Sequence, residues 1–267
     1  MEKKISDYNY TKKGYSVLKF DKHSEKDLKK VQKLILSSGL NKIVNKKTFF
    51  KKTYSLQHKI YNTDFHLKVI SRNFHTIKKL LKVKSEKELY VTSFVHLRAV
   101  KKINDKSKKS FLGFHRETFY SDFKYTKHQV NVSIPLMNYD KKNSMKIIDG
   151  THKIPDKKIK TKKINSNMSG IQRYSYEHRL GLPYNPKLII SGINLKKAKR
   201  INICLNKFVV FSAMLIHGNG SNNKNLPRYS IDFGLIKKEK ILGKKIKDHK
   251  HIAYSKSGKY WEKLKLN

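Results

Sequence analysis

The chain has 267 residues, 37% of them hydrophobic and 11% aromatic, which fits a domain with a sizeable core and excludes wholesale disorder. Cys204 is the only cysteine, which excludes an intrachain disulfide and a thiolate zinc cluster and points to a reducing, cytoplasmic setting. The N-terminus lacks an apolar leader and no run approaches the roughly 18 apolar residues of a membrane span, while a formal net charge of +43 raises the question of a polyanionic partner.

In chain order, residues 1–88 read as mostly helical. Ser24, with Asp27 three residues on, can cap a helix that carries Leu28, Val31, Leu34 and Ile35 on one face and ends at Ser37-Ser38-Gly39. A second helix is expected from Thr63 or Asp64, with Phe65, Val69, Ile70, Phe74, Ile77, Leu80 and Leu81 along it.

From about Leu89 the apolar period changes from near 3.6 to near 2. Residues 90–98, 128–136, 145–148, 187–190, 208–211 and 229–236 read as strands. Short strands separated by polar loops argue for a mainly β sandwich or jelly roll, buttressed by the N-terminal helices. Two long, lysine-rich connections, 101–110 and 153–185, are placed to rim its open mouth. Residues 237–267 form a basic tail whose Tyr260-Trp261-Glu262 can dock through its aromatics. With no internal repeat and no clear boundary, residues 1–267 are expected to form a single domain: a helical part over 1–88, a β core over 89–236 and the tail.

The residues that carry chemistry lie in the β part. In Gly113-Phe114-His115-Arg116-Glu117-Thr118, an extended strand would aim His115 and Glu117 at one point while Arg116 faces away. Two imidazoles and a carboxylate on one face of an octahedron suit iron(II) and leave three positions open. His217 is the candidate third ligand, because it follows the apolar strand 208–211 and opens the turn His217-Gly218-Asn219-Gly220. Further on, Arg228 and Ser230 share a strand face, where a guanidinium fork and a hydroxyl could take the distal carboxylate of 2-oxoglutarate.

These residues resemble the iron(II)/2-oxoglutarate-dependent dioxygenases, and within them the phytanoyl-CoA dioxygenase-like branch. Three blocks over about residues 90–236 carry the likeness: 113–117; Asn131-Val132-Ser133-Ile134-Pro135-Leu136 leading to 145–153; and Phe211 through His217-Gly218-Asn219 to 228–233. Asp149 stands in the turn Asp149-Gly150-Thr151-His152 where the family more often has proline, and Glu117 where this branch more often has Asp. The resemblance implies a double-stranded β-helix (jelly roll, cupin-like), iron held by His115, Glu117 and His217, and 2-oxoglutarate held by Arg228 and Ser230, with Asn131 and Ser133 as further cosubstrate contacts. It implies a dioxygenase that hydroxylates a small metabolite, sugar-containing or lipid-like, and releases succinate and CO2.

Arg98, Tyr120, Tyr125 and His128 are candidates for meeting such a substrate, Arg98 if it is anionic; their alternatives are a structural ion pair and ordinary packing. The alternative function is a noncatalytic jelly roll that binds nucleic acid or another polyanion. Of the 62 basic residues 55 are lysine, dispersed along the whole chain beside abundant Ile and Asn, which reads as a compositionally biased, solvated surface. A nucleic-acid partner is therefore not expected.

Overall fold

The computed structural model describes residues 9–43, 45–102, 113–119, 124–163, 187–241 and 260–265. A seven-stranded antiparallel sheet dominates it. The strands are β1 (Tyr15–Lys19), β2 (Leu89–Thr92), β3 (His96–Val100), β4 (Val130–Met137), β9 (Lys207–Ser212), β11 (Arg228–Lys237) and β12 (Trp261–Lys263). Their order is β1-β9-β4-β11-β2-β12, with β3 also paired to β11. A three-stranded sheet, ordered β10-β5-β8, combines β5 (Lys146–Ile147), β8 (Lys199–Arg200) and β10 (His217–Gly218), and β6 (Lys160–Lys163) pairs with β7 (Lys187–Ser191) in a ribbon.

Strand alternation divides the large sheet into two unlike faces. Val130, Val132, Ile134 and Leu136 of β4, with Tyr229, Ile231, Phe233 and Leu235 of β11, enter one apolar core together with the helices. The helices are α1 (Lys22–Ser37), α2 (Lys46–Tyr61), α3 (Phe65–Arg72) and α4 (Phe74–Leu81); a short α5 (Lys238–Ile241) follows β11. The opposite face carries Asn131, Ser133 and Pro135 from β4 against Gly234, Asp232 and Ser230 from β11. Beyond them Val209 and Phe211 of β9 pack with Ile147, Ile201, Ile203 and Leu215 in a second core. A polar floor thus lies beside an apolar end. Each fully buried Val, Leu or Ile contributes about 1.5–3 kcal/mol, so the core positions fix the strand register.

Several elements depart from their sequence-based expectation. Helix α1 is capped by Asp21, whose carboxylate accepts from the Ser24 amide at 2.6 Å, whereas Ser24 is fully buried and its hydroxyl accepts from Arg72. The helix expected from residue 64 is two helices, because the chain turns at Asn73, whose side-chain amide donates to the Val69 carbonyl at 2.9 Å. The strand expected over 90–98 is broken between β2 and β3, which pair with different parts of β11. There the Thr92 hydroxyl accepts from the Gly234 amide and donates to the Phe94 carbonyl, taking over where the backbone ladder lapses. Trp261 is buried in β12, so the tail does dock by its aromatics. No described helix is long and apolar enough to cross a membrane. Most of the loop 153–185 and of the tail, with Tyr120, lies outside the described residues.

His66 of α3 is buried in the helical core, stacked on Tyr61 at 5.3 Å and edge-on to Phe233 at 5.5 Å. Burial pushes its pKa down to about 3. The unfolded chain protonates this imidazole near pH 6.5 and the folded chain does not, so the unfolded state binds more protons and stability falls as pH drops below about 6.5. Urea unfolding of wild type and His66→Phe at pH 7.5 and 5.5 is expected to show the variant losing about 1 kcal/mol less over that interval. Equal losses would place the protonation cost elsewhere.

Candidate metal centre

His115 and His217 face each other across an isolated antiparallel bridge. Each backbone amide donates to the other's carbonyl at 2.9 Å, and the Glu117 amide donates to the Ala213 carbonyl at 2.9 Å. The segment is not the continuous strand expected of it. Beyond His115 the chain turns into a 3-10 helix, Glu117–Phe119, and this turn still brings Glu117 round to the side of the two histidines.

The imidazole and carboxylate ligand atoms of His115, Glu117 and His217 all lie within 4.8 Å of one another, so the three can hold one metal ion. The rings sit 4.4 Å apart between centroids. His115 Nδ1 is 2.9 Å from the Gly113 carbonyl and His217 Nδ1 is 2.9 Å from the Leu215 carbonyl. A carbonyl oxygen only accepts, so in each neutral ring Nδ1 carries the hydrogen and the Nε2 lone pair is left for a metal. His217 Nε2 stands 3.5 Å from a Glu117 carboxylate oxygen, a gap that a proton or a metal ion between them can bridge.

Electrostatics prepare the same state. Burial, with help from His217, pushes His115 down to about 3, so the ring is neutral at physiological pH. Burial alone would raise Glu117, but the hydrogen bond and charge that His217 offers when its ring is protonated, then positive charge at His115 and Arg98, hold the carboxylate down to about 2. The carboxylate is also fixed from behind: the Asn131 side-chain amide donates to it at 3.1 Å, and Gln129 donates to Asn131 at 2.6 Å.

Arg228 and Ser230 lie on the same face of β11 and both are buried. The Arg228 guanidinium donates to the carbonyls of Asn143 and Gly220 and lies over the Tyr139 ring at 5.0 Å. Its Nε has no partner, and it forms no ion pair among the described residues. Neither Tyr139 nor this loop contact was readable from spacing. The one signal was Gly220, where a Cβ would stand 1.9 Å from the Ser144 carbonyl oxygen and 2.4 Å from an Arg200 nitrogen, so only glycine lets the loop close over the arginines.

The other expected site residues disperse. Ser133 is buried on the same sheet face, opposite Asp232. Asn131, expected at the cosubstrate, is instead bonded to Glu117. Arg98 of β3 lies on this face as well and pairs with Asp232 at 2.9 Å, while its charge reaches His115 and Glu117. Tyr125 is buried against Trp261, Ile236 and Ile241, so it is a packing residue and does not line the mouth. His128 is exposed near Glu239, beyond the far end of β11 from Arg228.

No protein-family model and no curated protein matches this chain. Solved structures do match it in fold. EvdO2 from Micromonospora carbonacea var. aurantiaca, complexed with 2-oxoglutarate, is 11% identical over 87% of this chain and 90% of its own, at a TM-score of 0.56. The non-heme monooxygenase ThoJ, in its apo form, is 12% identical over 86% of this chain and 76% of its own, at 0.54. The epimerase SnoN, in complex with Fe3+, alpha ketoglutarate and nogalamycin RO, is 10% identical over 88% of this chain and 84% of its own, at 0.51.

Because Asn131 orients the Glu117 carboxylate, Asn131→Ala is expected to weaken divalent-metal binding about tenfold while leaving the protein folded. Equilibrium dialysis against cobalt(II), with circular dichroism as the folding control, measures this. Unchanged affinity would show that Glu117 needs no such support.

Proposed function

We propose that the protein is an iron(II)- and 2-oxoglutarate-dependent oxygenase of the phytanoyl-CoA dioxygenase-like branch, built on a double-stranded β-helix and hydroxylating a small metabolite. The convergence of His115, Glu117 and His217 carries the reading: their donor set, two imidazoles and one carboxylate, suits iron(II) on one face of its coordination sphere. A buried guanidinium with an unpartnered Nε and no carboxylate paired to it among the described residues suits the distal carboxylate of 2-oxoglutarate. EvdO2 complexed with 2-oxoglutarate and SnoN in complex with Fe3+ and alpha ketoglutarate support the same pair of ligands on this fold.

Iron and 2-oxoglutarate, when bound, supply the oxidising chemistry, in which dioxygen is consumed, succinate and CO2 are released and a substrate C–H bond is hydroxylated. The chain's own residues do the rest. His115 and His217 present Nε2 because their Nδ1 hydrogens are held by Gly113 and Leu215. Glu117 stays ionised and is kept in place by Asn131. Arg228 takes the cosubstrate's far carboxylate, with the buried hydroxyls of Ser230 and Ser133 on the same face as its further contacts.

Arg98, half-buried on the site face, is the residue assigned to an anionic substrate group, with Asp232 holding its guanidinium in orientation. A sugar-containing or lipid-like biosynthetic intermediate is the substrate class proposed. That ThoJ is a monooxygenase and SnoN an epimerase, with nogalamycin RO in its complex, supports a biosynthetic small molecule rather than a macromolecule.

Anaerobic titration with iron(II) followed by 2-oxoglutarate is expected to develop a metal-to-ligand charge-transfer band, absent in His115→Ala. No band in folded wild-type protein would sink the proposal. Arg228→Ala is expected to bind iron normally but 2-oxoglutarate about 2 kcal/mol more weakly, roughly thirtyfold, for the loss of hydrogen bonds to a charged group. An unchanged cosubstrate affinity would remove Arg228 from that role.

A further inference from the structure

Arg116 stands between two of the three ligands and has no part in the scheme above. Its side chain points to the other side of the segment from His115 and Glu117, where an arginine would ordinarily meet solvent. Here it is fully buried. One terminal nitrogen donates to the Ile154 carbonyl at 2.8 Å and to the Asp156 carboxylate at 2.6 Å, and the other donates to the Thr151 carbonyl at 2.6 Å. The guanidinium also lies over the Phe119 ring at 5.7 Å, and its Nε has no partner among the described residues. Asp156 is half-exposed and accepts from the Thr118 hydroxyl as well, at 3.3 Å.

The segment that Arg116 grips also reaches the third ligand. The amide of Ile216, next to His217, donates to the Thr151 hydroxyl at 2.9 Å, and that hydroxyl donates to the Ile148 carbonyl at 2.8 Å. The Ile148 amide returns to the Ile216 carbonyl at 3.0 Å. With the bridge between His115 and His217, these bonds close a ring: 115–117 to 213–217, 213–217 to 148–151, and 151–156 back to Arg116.

We infer that Arg116 is a positioning residue for the metal centre, fixing the separation of the His115–Glu117 pair from His217 by clamping both to the turn around Thr151. The inference rests on the reading of those three residues as metal ligands. Arginine is required because its planar fork serves the Thr151 and Ile154 carbonyls and the Asp156 carboxylate at once. A lysine ammonium can keep Asp156 but cannot reach along both directions. Groups bonded directly to metal ligands are commonly worth roughly ten- to a hundredfold in metal affinity, and Arg116, which acts through the turn around Thr151, is expected near the lower end of that range.

The test uses the full chain, metal-free, titrated with cobalt(II). Its visible spectrum reports ligand geometry, and chelator competition reports affinity. Arg116→Met is expected to bind cobalt at least about tenfold more weakly with an altered spectrum, and Arg116→Lys to recover part of both. Amide exchange at Ile216 in the metal-free protein is expected to quicken in both variants. Where Arg116→Met does not fold, Asp156→Ala, at a half-exposed position, is expected to move cobalt affinity and Ile216 exchange in the same direction by a smaller factor. Folded variants that lose thermal stability yet keep wild-type affinity, spectrum and exchange would overturn the positioning role alone. Failure of wild type itself to bind cobalt would overturn the metal reading, and the positioning role with it.

Discussion

Two backbone hydrogen bonds between His115 and His217 decide where a metal can sit. They bring together residues from distant parts of the chain with a precision that side-chain packing alone does not supply, because each bond tolerates only a few tenths of an ångström. Once the backbones are paired, the two rings must lie side by side, and the nearby carbonyls of Gly113 and Leu215 settle which nitrogen of each faces the centre. Glu117 then needs only a single turn of 3-10 helix to join them. A small number of main-chain contacts thus replaces what would otherwise be three independently placed side chains.

The same economy appears in the large sheet. Its pleat sends alternate residues of β4 and β11 to opposite sides, so the register that buries Val132 and Ile231 under the helices also sets Ser133 and Ser230 on the opposite, polar face. Helix packing on one side therefore fixes site geometry on the other. Arg228 is the exception to comfortable burial on that face. Taking a guanidinium out of water costs several kcal/mol, and a face-on aromatic ring with two carbonyls offsets only part of it. On the proposed reading a dianionic cosubstrate supplies the remainder, and this arginine is then half of a binding site rather than part of the core.

Legibility in the sequence followed the strength of the local pattern. The alternation along 130–136 and 229–236 and the apolar run 208–211 were plain, because such signals are properties of consecutive residues, whereas His115 and Glu117 meet through a turn of 3-10 helix and not the strand that their spacing suggested. Helix α2 was not legible. Its buried positions, Phe49, Leu56, Gln57 and Ile60, are diluted by lysines and threonines, and Gln57 is there to accept the Leu97 amide at 2.7 Å, a contact that exists only in three dimensions. The breaks at Asn73 and at Ser93 depend on which strand or helix face lies opposite. Two-residue strands such as β8 and β10 are shorter than any periodicity can mark, and for Arg116 the sequence showed only that it faces away from its neighbours, because its acceptors come from another loop.

The basic composition sharpens the contrast between surface and site. No described lysine is buried, whereas Arg116 and Arg228 are, and each described arginine donates to a named acceptor: Arg72 to Asp27, Arg98 to Asp232, Arg116 to Asp156, Arg200 to the Ser144 carbonyl and Arg228 to that of Asn143. A compact ammonium is strongly hydrated and stays at the surface, while a weakly hydrated planar fork can be desolvated if its donors are matched. Among the described residues, the charge of the lysines therefore lies outside the core. The described arginines mark where several directed donors on one cation are needed, and two of them, Arg98 and Arg200, lie close enough to act electrostatically on Arg228.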